Sequence, residues 1–217
     1  MTFKKNARTA TLQKYLDGRN FRLSHDDRTF LDDLARVRII DAKDADFHHY
    51  SNRKSPAVRR LDKLCEVGLL DVVHVNQPGR GKFKSYQFKT ERLATLFGGK
   101  KPVIGRKRNV LHEVITSKLY FAEGRPDSFV VEGDFSADQK KLFARSSPTL
   151  SGRDSCTPDA MYLNASGKIV VIEADSGQYN KSQIMNKQAA WTNFSQVWGQ
   201  PAKASARISD AKVHLFS

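Results

Sequence analysis

Apolar positions fall into two blocks separated by a polar, basic stretch. In the first, Phe30, Leu31, Leu34, Val37 and Ile40 recur at three- and four-residue spacing behind acidic residues suited to a helix N-terminus, so a helix is expected from Asp26 onward. A short second helix is expected over 42–49. A third opens in Ser51-Asn-Arg-Lys-Ser-Pro-Ala-Val-Arg-Arg-Leu-Asp-Lys-Leu-Cys-Glu-Val-Gly-Leu-Leu. There Ser55 suits the cap, Pro56 the first helical position and Gly68 the stop. Val58, Leu61, Leu64 and Cys65 form its inward face. Residues 69–75 and 83–89 then read as strands around the turn Gln77-Pro-Gly-Arg-Gly-Lys, the second carrying Phe83, Tyr86 and Phe88. Residues 1–24 hold few apolar positions and no clear period; they are expected to be a basic arm with one short helix around 11–15.

In the second block, Val110, Val114, Ile115 and Leu119 give one apolar face to a helix over 109–120. A strand is expected at 129–131, with Phe135 continuing it, whereas 136–157 shows no usable period. Pro158-Asp-Ala-Met-Tyr-Leu-Asn-Ala-Ser-Gly-Lys-Ile-Val-Val-Ile-Glu-Ala-Asp175 reads as strand, turn at 164–167 and buried strand at 168–172. A helix is expected over 181–194 and a last strand at 213–216. Trp191 and Trp198, seven apart, read as one apolar helical face. Helix, strands, helix, strand is an α/β order. Between the blocks, Phe97-Gly-Gly-Lys-Lys-Pro-Val-Ile-Gly-Arg-Lys-Arg-Asn109 has the composition of a linker.

Charge narrows the class of partner. Lys and Arg number 37 against 23 Asp and Glu, a net +14 with pI near 9.9. The excess is denser in the first half and favours a polyanion, since each neutralised phosphate releases a counterion. No long apolar run, signal peptide or basic membrane-surface helix is visible, so nucleic acid in the cytoplasm is the expected partner rather than a membrane, and double-stranded DNA is the form that the resemblances below imply. Cys65 and Cys156 lie in different halves, form no ligand cluster and fit reduced thiols. Arg53, Lys54, Arg59, Arg60 and Lys63 decorate the third helix, and Arg80, Lys82 and Lys84 the hairpin. Lys140, Lys141, Arg145 and Arg153 are further candidate phosphate contacts. Three helices followed by a hairpin with a Gly- and Arg-rich tip resemble a winged helix-turn-helix domain over residues 26–92. That resemblance implies a helix in the major groove and a wing on the backbone.

The candidate chemistry lies in the second block. Asp159 heads one strand, and Glu173 and Asp175 end the next, so three carboxylates are expected at one end of a hairpin. Carboxylates that meet without neutralising partners repel, and a divalent cation relieves them. Mg²⁺ or Mn²⁺ is therefore the expected cofactor, with Asp159, Glu173 and Asp175 as its ligands. The pattern resembles the PD-(D/E)XK nuclease superfamily, in which an Asp on one strand and an acid two residues before a Lys on the next bind metal. Asp159 and Glu173 match. Asp175 stands where that pattern has its lysine, either as an added ligand or with the lysine supplied from elsewhere, Lys187 or Lys181 on the next helix. The resemblance also implies an acid on the preceding helix, and Glu113 is placed for it. His112 beside it reads as structural or surface. Gln178 and Tyr179 are expected to line the site.

A closer resemblance covers most of residues 26–200. PDA, then Glu173-x-Asp175 with a small residue after it, then a helix with Lys and an aromatic, are similar to replication-relaxation proteins and MOB-C type plasmid mobilisation relaxases. It implies two domains: an N-terminal winged helix (25–96, after the arm 1–24) and, past a linker at 97–108, a PD-(D/E)XK restriction-endonuclease-like core (109–217), α+β and α/β in class. The implied activity is metal-dependent nicking of mobile-element DNA at an origin of transfer or replication, alongside transfer or replication accessory proteins. Two alternatives stay open. One is a sequence-specific DNA-binding accessory protein with a degenerate nuclease fold; the other is a restriction-type endonuclease that cuts both strands as a homodimer.

Overall fold

Two sheets, of three and five strands, organise the chain into an α+β fold. The computed structural model describes residues 12–51, 56–77, 81–99, 109–146, 157–201, 208 and 211–216. It falls into two compact units, one of Met1–Asn76 with Lys82–Arg108 and one of Gln77–Gly81 with Asn109–Ser217. No helix among the described residues is long and apolar enough to cross a membrane.

The first unit begins earlier than the sequence pattern implies. A helix, α1 (12–17), buries Leu12 and Leu16, and the Tyr15 hydroxyl donates to the carbonyls of Val67 and Gly68 at 3.4 and 3.3 Å. The expected arm is therefore packed structure from Leu12 on; two leucines and a tyrosine spaced along one turn suffice without a long amphipathic period. Helix α2 (His25–Val37) is set by a capping box. Ser24 Oγ accepts from the Asp27 amide at 3.2 Å, and the Asp27 carboxylate accepts from the Ser24 amide at 2.7 Å. Its stripe of Phe30, Leu31, Leu34 and Val37 is fully buried. Strand β1 (Ile40–Asp41) follows. Helix α3 (Ala42–Ala45) then widens into a π-helical turn, Asp46–Tyr50, where one regular helix was expected.

Helix α4 (Ala57–Glu66) has Pro56 at its N-cap, and Asp46 Oδ1 accepts from the Ala57 amide at 3.1 Å. Ser55, the expected cap, lies outside the described residues. At the other end Gly68 takes φ +78°, its amide donates to Cys65 and the Leu69 amide to Leu64. This paired closure favours glycine at that position. Leu61 and Leu64 are fully buried, whereas Val58 and Cys65 are only half-buried. The hairpin of β2 (Leu70–Gln77) and β3 (Gly81–Phe88) completes a sheet ordered β1-β3-β2, with Ile40 opposite Tyr86. A further helix, α5 (Glu91–Leu96), is capped by Thr90.

In the second unit helix α6 (Val110–Ala122) is buried almost throughout from Leu111 to Phe121 and packs on β6 (Ile169–Ala174), β7 (Ser195–Pro201) and β8 (Lys212–Phe216). The sheet runs β4 (Val130–Val131), β5 (Ala160–Leu163), β6, β7, β8. Its first two pairings are antiparallel and its last two parallel. Parallel neighbours need a crossover, and α8 (Lys181–Ala190) supplies it between β6 and β7. Helix α7 (Ala137–Ser146) occupies part of the stretch without a readable period, and its Phe143 joins Phe135, Met161, Val171 and Trp191 in one apolar core.

The helix expected over 181–194 stops at Ala190. Trp191 is its C-cap and Trp198 lies on β7, so the two indoles share no helical face. Strand β7 passes under α6 at Gly199. A Cβ there would lie 2.7 Å from Ile115 Cγ2 and 2.9 Å from Leu119 Cδ1, so only glycine lets helix and strand approach this closely.

Candidate active site

Strand β6 ends in Glu173-Ala174, buried on both faces, with β5 antiparallel on one side and β7 parallel on the other. Val171 belongs to the core under α7 and α8, and the two-residue period of the strand aims Glu173 at the same face. There its carboxylate accepts two hydrogen bonds from α8 and its cap, from Lys187 Nζ at 2.6 Å and from Trp191 Nε1 at 2.6 Å. Asp159, just before β5, accepts from the Ala174 amide at 2.7 Å and pairs with His112 Nε2 at 2.9 Å. Its charge also acts on Glu173. Asp159, Glu173, Lys187 and His112 therefore converge from a loop, a strand and two helices.

The electrostatics separate the two acids. Burial pushes the Glu173 carboxyl up, the nearby Asp159 charge pushes it further, and Lys187 only partly offsets them, leaving it at about 8. Asp159 moves the other way: burial opposes its charge, but His112, Lys187 and the Ala174 amide outweigh that and hold it below the ordinary carboxylate range. Burial likewise opposes the Lys187 and His112 cations, and the facing carboxylates more than compensate, raising both. Tyr179, whose ring lies 5.3 Å beneath Lys187 Nζ, is pushed up by burial and then by Asp159.

Several expected members stand elsewhere. Asp175 is buried but accepts from Gln200 Nε2 at 2.9 Å and from the Gly177 amide at 2.8 Å. Among the described residues no three His, Cys, Asp or Glu side chains are grouped to hold a metal ion. The strand stops at Ala174, and Asp175 stays alongside β7, its amide donating to the Gly199 carbonyl at 2.9 Å. Lys181 is exposed at the start of α8. Six residues separate it from Lys187, about 240° around a helix, so only one of the two faces the sheet. Glu113 is buried on α6 and acts on His112 by its charge, while His112 makes the contact to Asp159. Gln178 accepts from Asn109 Nδ2 at 3.3 Å beside the site. His112 and Trp191 are the members sequence reasoning assigned to other roles. A histidine three residues after the helix-capping Asn109 was the available signal for the first.

The cations of the first unit also sort differently from their spacing. Arg60 turns inward: its Nε meets Asp27 at 3.0 Å, its Nη2 donates to the Arg22 carbonyl at 2.9 Å, and its guanidinium lies over the Phe21 ring. The buried Asp27 carboxylate claims it, so it is not a surface cation of α4. Lys63 pairs with Glu66 at 2.6 Å and Lys84 with Asp62 at 3.2 Å. Arg59 and Lys82 are exposed. Arg53, Lys54 and Arg80 lie outside the described residues, as does Arg153. No family model, curated protein or solved structure matches the chain.

Proposed function

We propose that the chain is a divalent-metal-dependent DNA endonuclease, a nickase of the mobilisation-relaxase kind with an N-terminal winged helix and a PD-(D/E)XK core. The observation that carries this reading is the 2.6 Å contact of Lys187 with Glu173, beside Asp159. A lysine from α8 beside the two acids supports reading it as the lysine that the strand motif lacks at Asp175. The donor set suits a hard cation, because Mg²⁺ takes one or two carboxylates and completes its shell with waters and phosphate oxygens. Asp159 and Glu173 would hold it.

Such a cation would lower the pKa of a water and neutralise charge on the scissile phosphate. The protein's own groups do the rest. Trp191 fixes one Glu173 oxygen, and the Ala174 amide and His112 fix Asp159, so both carboxylates are oriented before DNA arrives. Lys187, held charged by the two acids, is placed to orient a nucleophilic water or to stabilise the phosphate oxygens. Exposed Arg59 on α4 and Lys82 on β3 supply cations for the phosphate backbone. The test is anomalous scattering from crystals soaked in Mn²⁺: a peak beside Asp159 and Glu173 is expected. Its absence both with and without a DNA oligonucleotide would overturn the metal centre and favour a DNA-binding protein that does not cut.

A further inference from the structure

The first unit contains a cavity of about 670 Å³ that the nuclease reading does not use. Its floor is apolar and aromatic, made by Tyr15 of α1, Val67 at the end of α4 and Leu93 of α5. Tyr15 is pinned there because Gly68 leaves room for its hydroxyl; a Cβ on Gly68 would come to 3.0 Å from that oxygen. Around the rim stand four exposed cations, Lys14, Arg19, Lys89 and Arg92. The single acid in the lining, Glu66, is already paired with Lys63 at 2.6 Å. The Arg19 guanidinium carbon lies 3.8 Å over the centre of the Tyr15 ring and the group donates to the Tyr15 carbonyl at 2.9 Å, so a planar cation and an aromatic ring stand together on one side of the cavity.

Four like charges around one concavity attract an anion, and an apolar floor favours one that carries an organic group. The volume falls within the range of roughly 300–1,000 Å³ that holds a small organic ligand. The cavity also stands apart from the hairpin tip: Lys89 follows the end of β3, seven residues from Lys82, about 23 Å along an extended chain. We propose that this cavity binds a free nucleoside polyphosphate, its base on the Tyr15–Arg19 platform and its phosphates on Lys14, Lys89 and Arg92. Planar ring, negative charge and size are the features this lining selects.

The test is fluorescence polarisation of N-methylanthraniloyl-ADP on the full chain, with EDTA present so that no cation bridges the phosphates. Saturable binding at one site per chain is expected. K89E/R92E should weaken it by about tenfold or more, while R59E/K82E, with the same change in net charge, should leave it within about twofold. Both pairs are exposed, and unchanged melting temperatures would show both variants folded. Unlabelled ADP should compete more strongly than inorganic pyrophosphate, which has no ring. Equal loss in the two variants would mean unspecific attraction to a basic protein and would overturn the proposal. So would absence of saturable binding, or pyrophosphate competing as well as ADP.

Discussion

Replacing Arg60 separates service to the fold from service to DNA. Asp27 is fully buried and its carboxylate takes Arg60 Nε at 3.0 Å, the Tyr50 hydroxyl at 3.1 Å and the Ser24 amide at 2.7 Å. Arg60→Met keeps an apolar stem over Phe21 but removes the charge. It leaves a buried carboxylate with two neutral donors. Breaking a buried ion pair from one side costs about 3–5 kcal/mol. Because the Arg60 side chain keeps 21 % of its surface in water, the lower end applies, about 3 kcal/mol. For a unit of roughly 60–100 residues that corresponds to a fall of about 12–24 °C in Tm.

The pH dependence has a definite sign. Burial pushes Asp27 up, but Arg60 and the Ser24 amide more than reverse it, so its folded pKa lies below 3.8. Its contribution to stability is present above 3.8 and is lost as the pH falls through the lower folded value. Thermal unfolding of the two proteins across acid and neutral pH should therefore show a large gap at neutral pH that narrows in acid. DNA affinity, measured cold enough to keep the variant folded, should stay within about twofold. An unchanged Tm with a large loss of DNA affinity would refute the assignment and return Arg60 to the DNA-facing surface.

Other perturbations follow from the same geometry. Trp191→Phe keeps the ring in the Phe143 cluster but removes the donor to Glu173; a loss of about 1–3 kcal/mol in chemical denaturation is expected, as for a buried acceptor left without its partner. Gly199→Ala should cost about 1–3 kcal/mol by driving a methyl into Ile115 and Leu119, and adding Ile115→Ala should recover part of it. Arg59→Ala and Lys82→Ala should each lower the salt dependence of DNA binding by about one phosphate contact. Lys63→Ala and Lys84→Ala should do less, since Glu66 and Asp62 already hold those amines. A nitrocellulose-filter or polarisation titration across salt would distinguish the two pairs.

The elements that were legible in sequence are those whose burial is one-sided. Helix α2 shows its stripe because one face is wet, and the β2–β3 hairpin shows its turn because Gly and Pro mark it. Strand β7 was missed because Ser-Gln-Val-Trp-Gly-Gln-Pro mixes buried polar groups with the glycine that α6 demands, so no alternation survives. Helix α7 follows a 3-10 turn, Glu132–Asp134, and buries only Phe143, too little to leave a period. In the site, Asp159 and Glu173 were readable from their places at strand ends. The choice between Lys187 and Lys181 was not, because it depends on the rotation of α8 over the sheet. Asp175 looked equivalent to Glu173 by spacing, yet the strand ends between them and Gln200 claims it. His112 was hidden because its partner lies 47 positions away in the chain, a contact made only when α6 crosses β6.

Conversion of supercoiled plasmid to the open-circular form, with Mg²⁺ or Mn²⁺ and after chelation, tests the central claim most directly. It should be run on the native chain and on Asp159→Asn, Glu173→Gln and Lys187→Met. The account predicts metal-dependent nicking by the native chain on plasmids carrying the cognate origin, lost on chelation. It also predicts a drop of at least about a hundredfold in each variant, with DNA binding retained. Nicking that persists in EDTA, or survives all three substitutions, would contradict it. So would a native chain that binds the origin tightly and cuts neither strand.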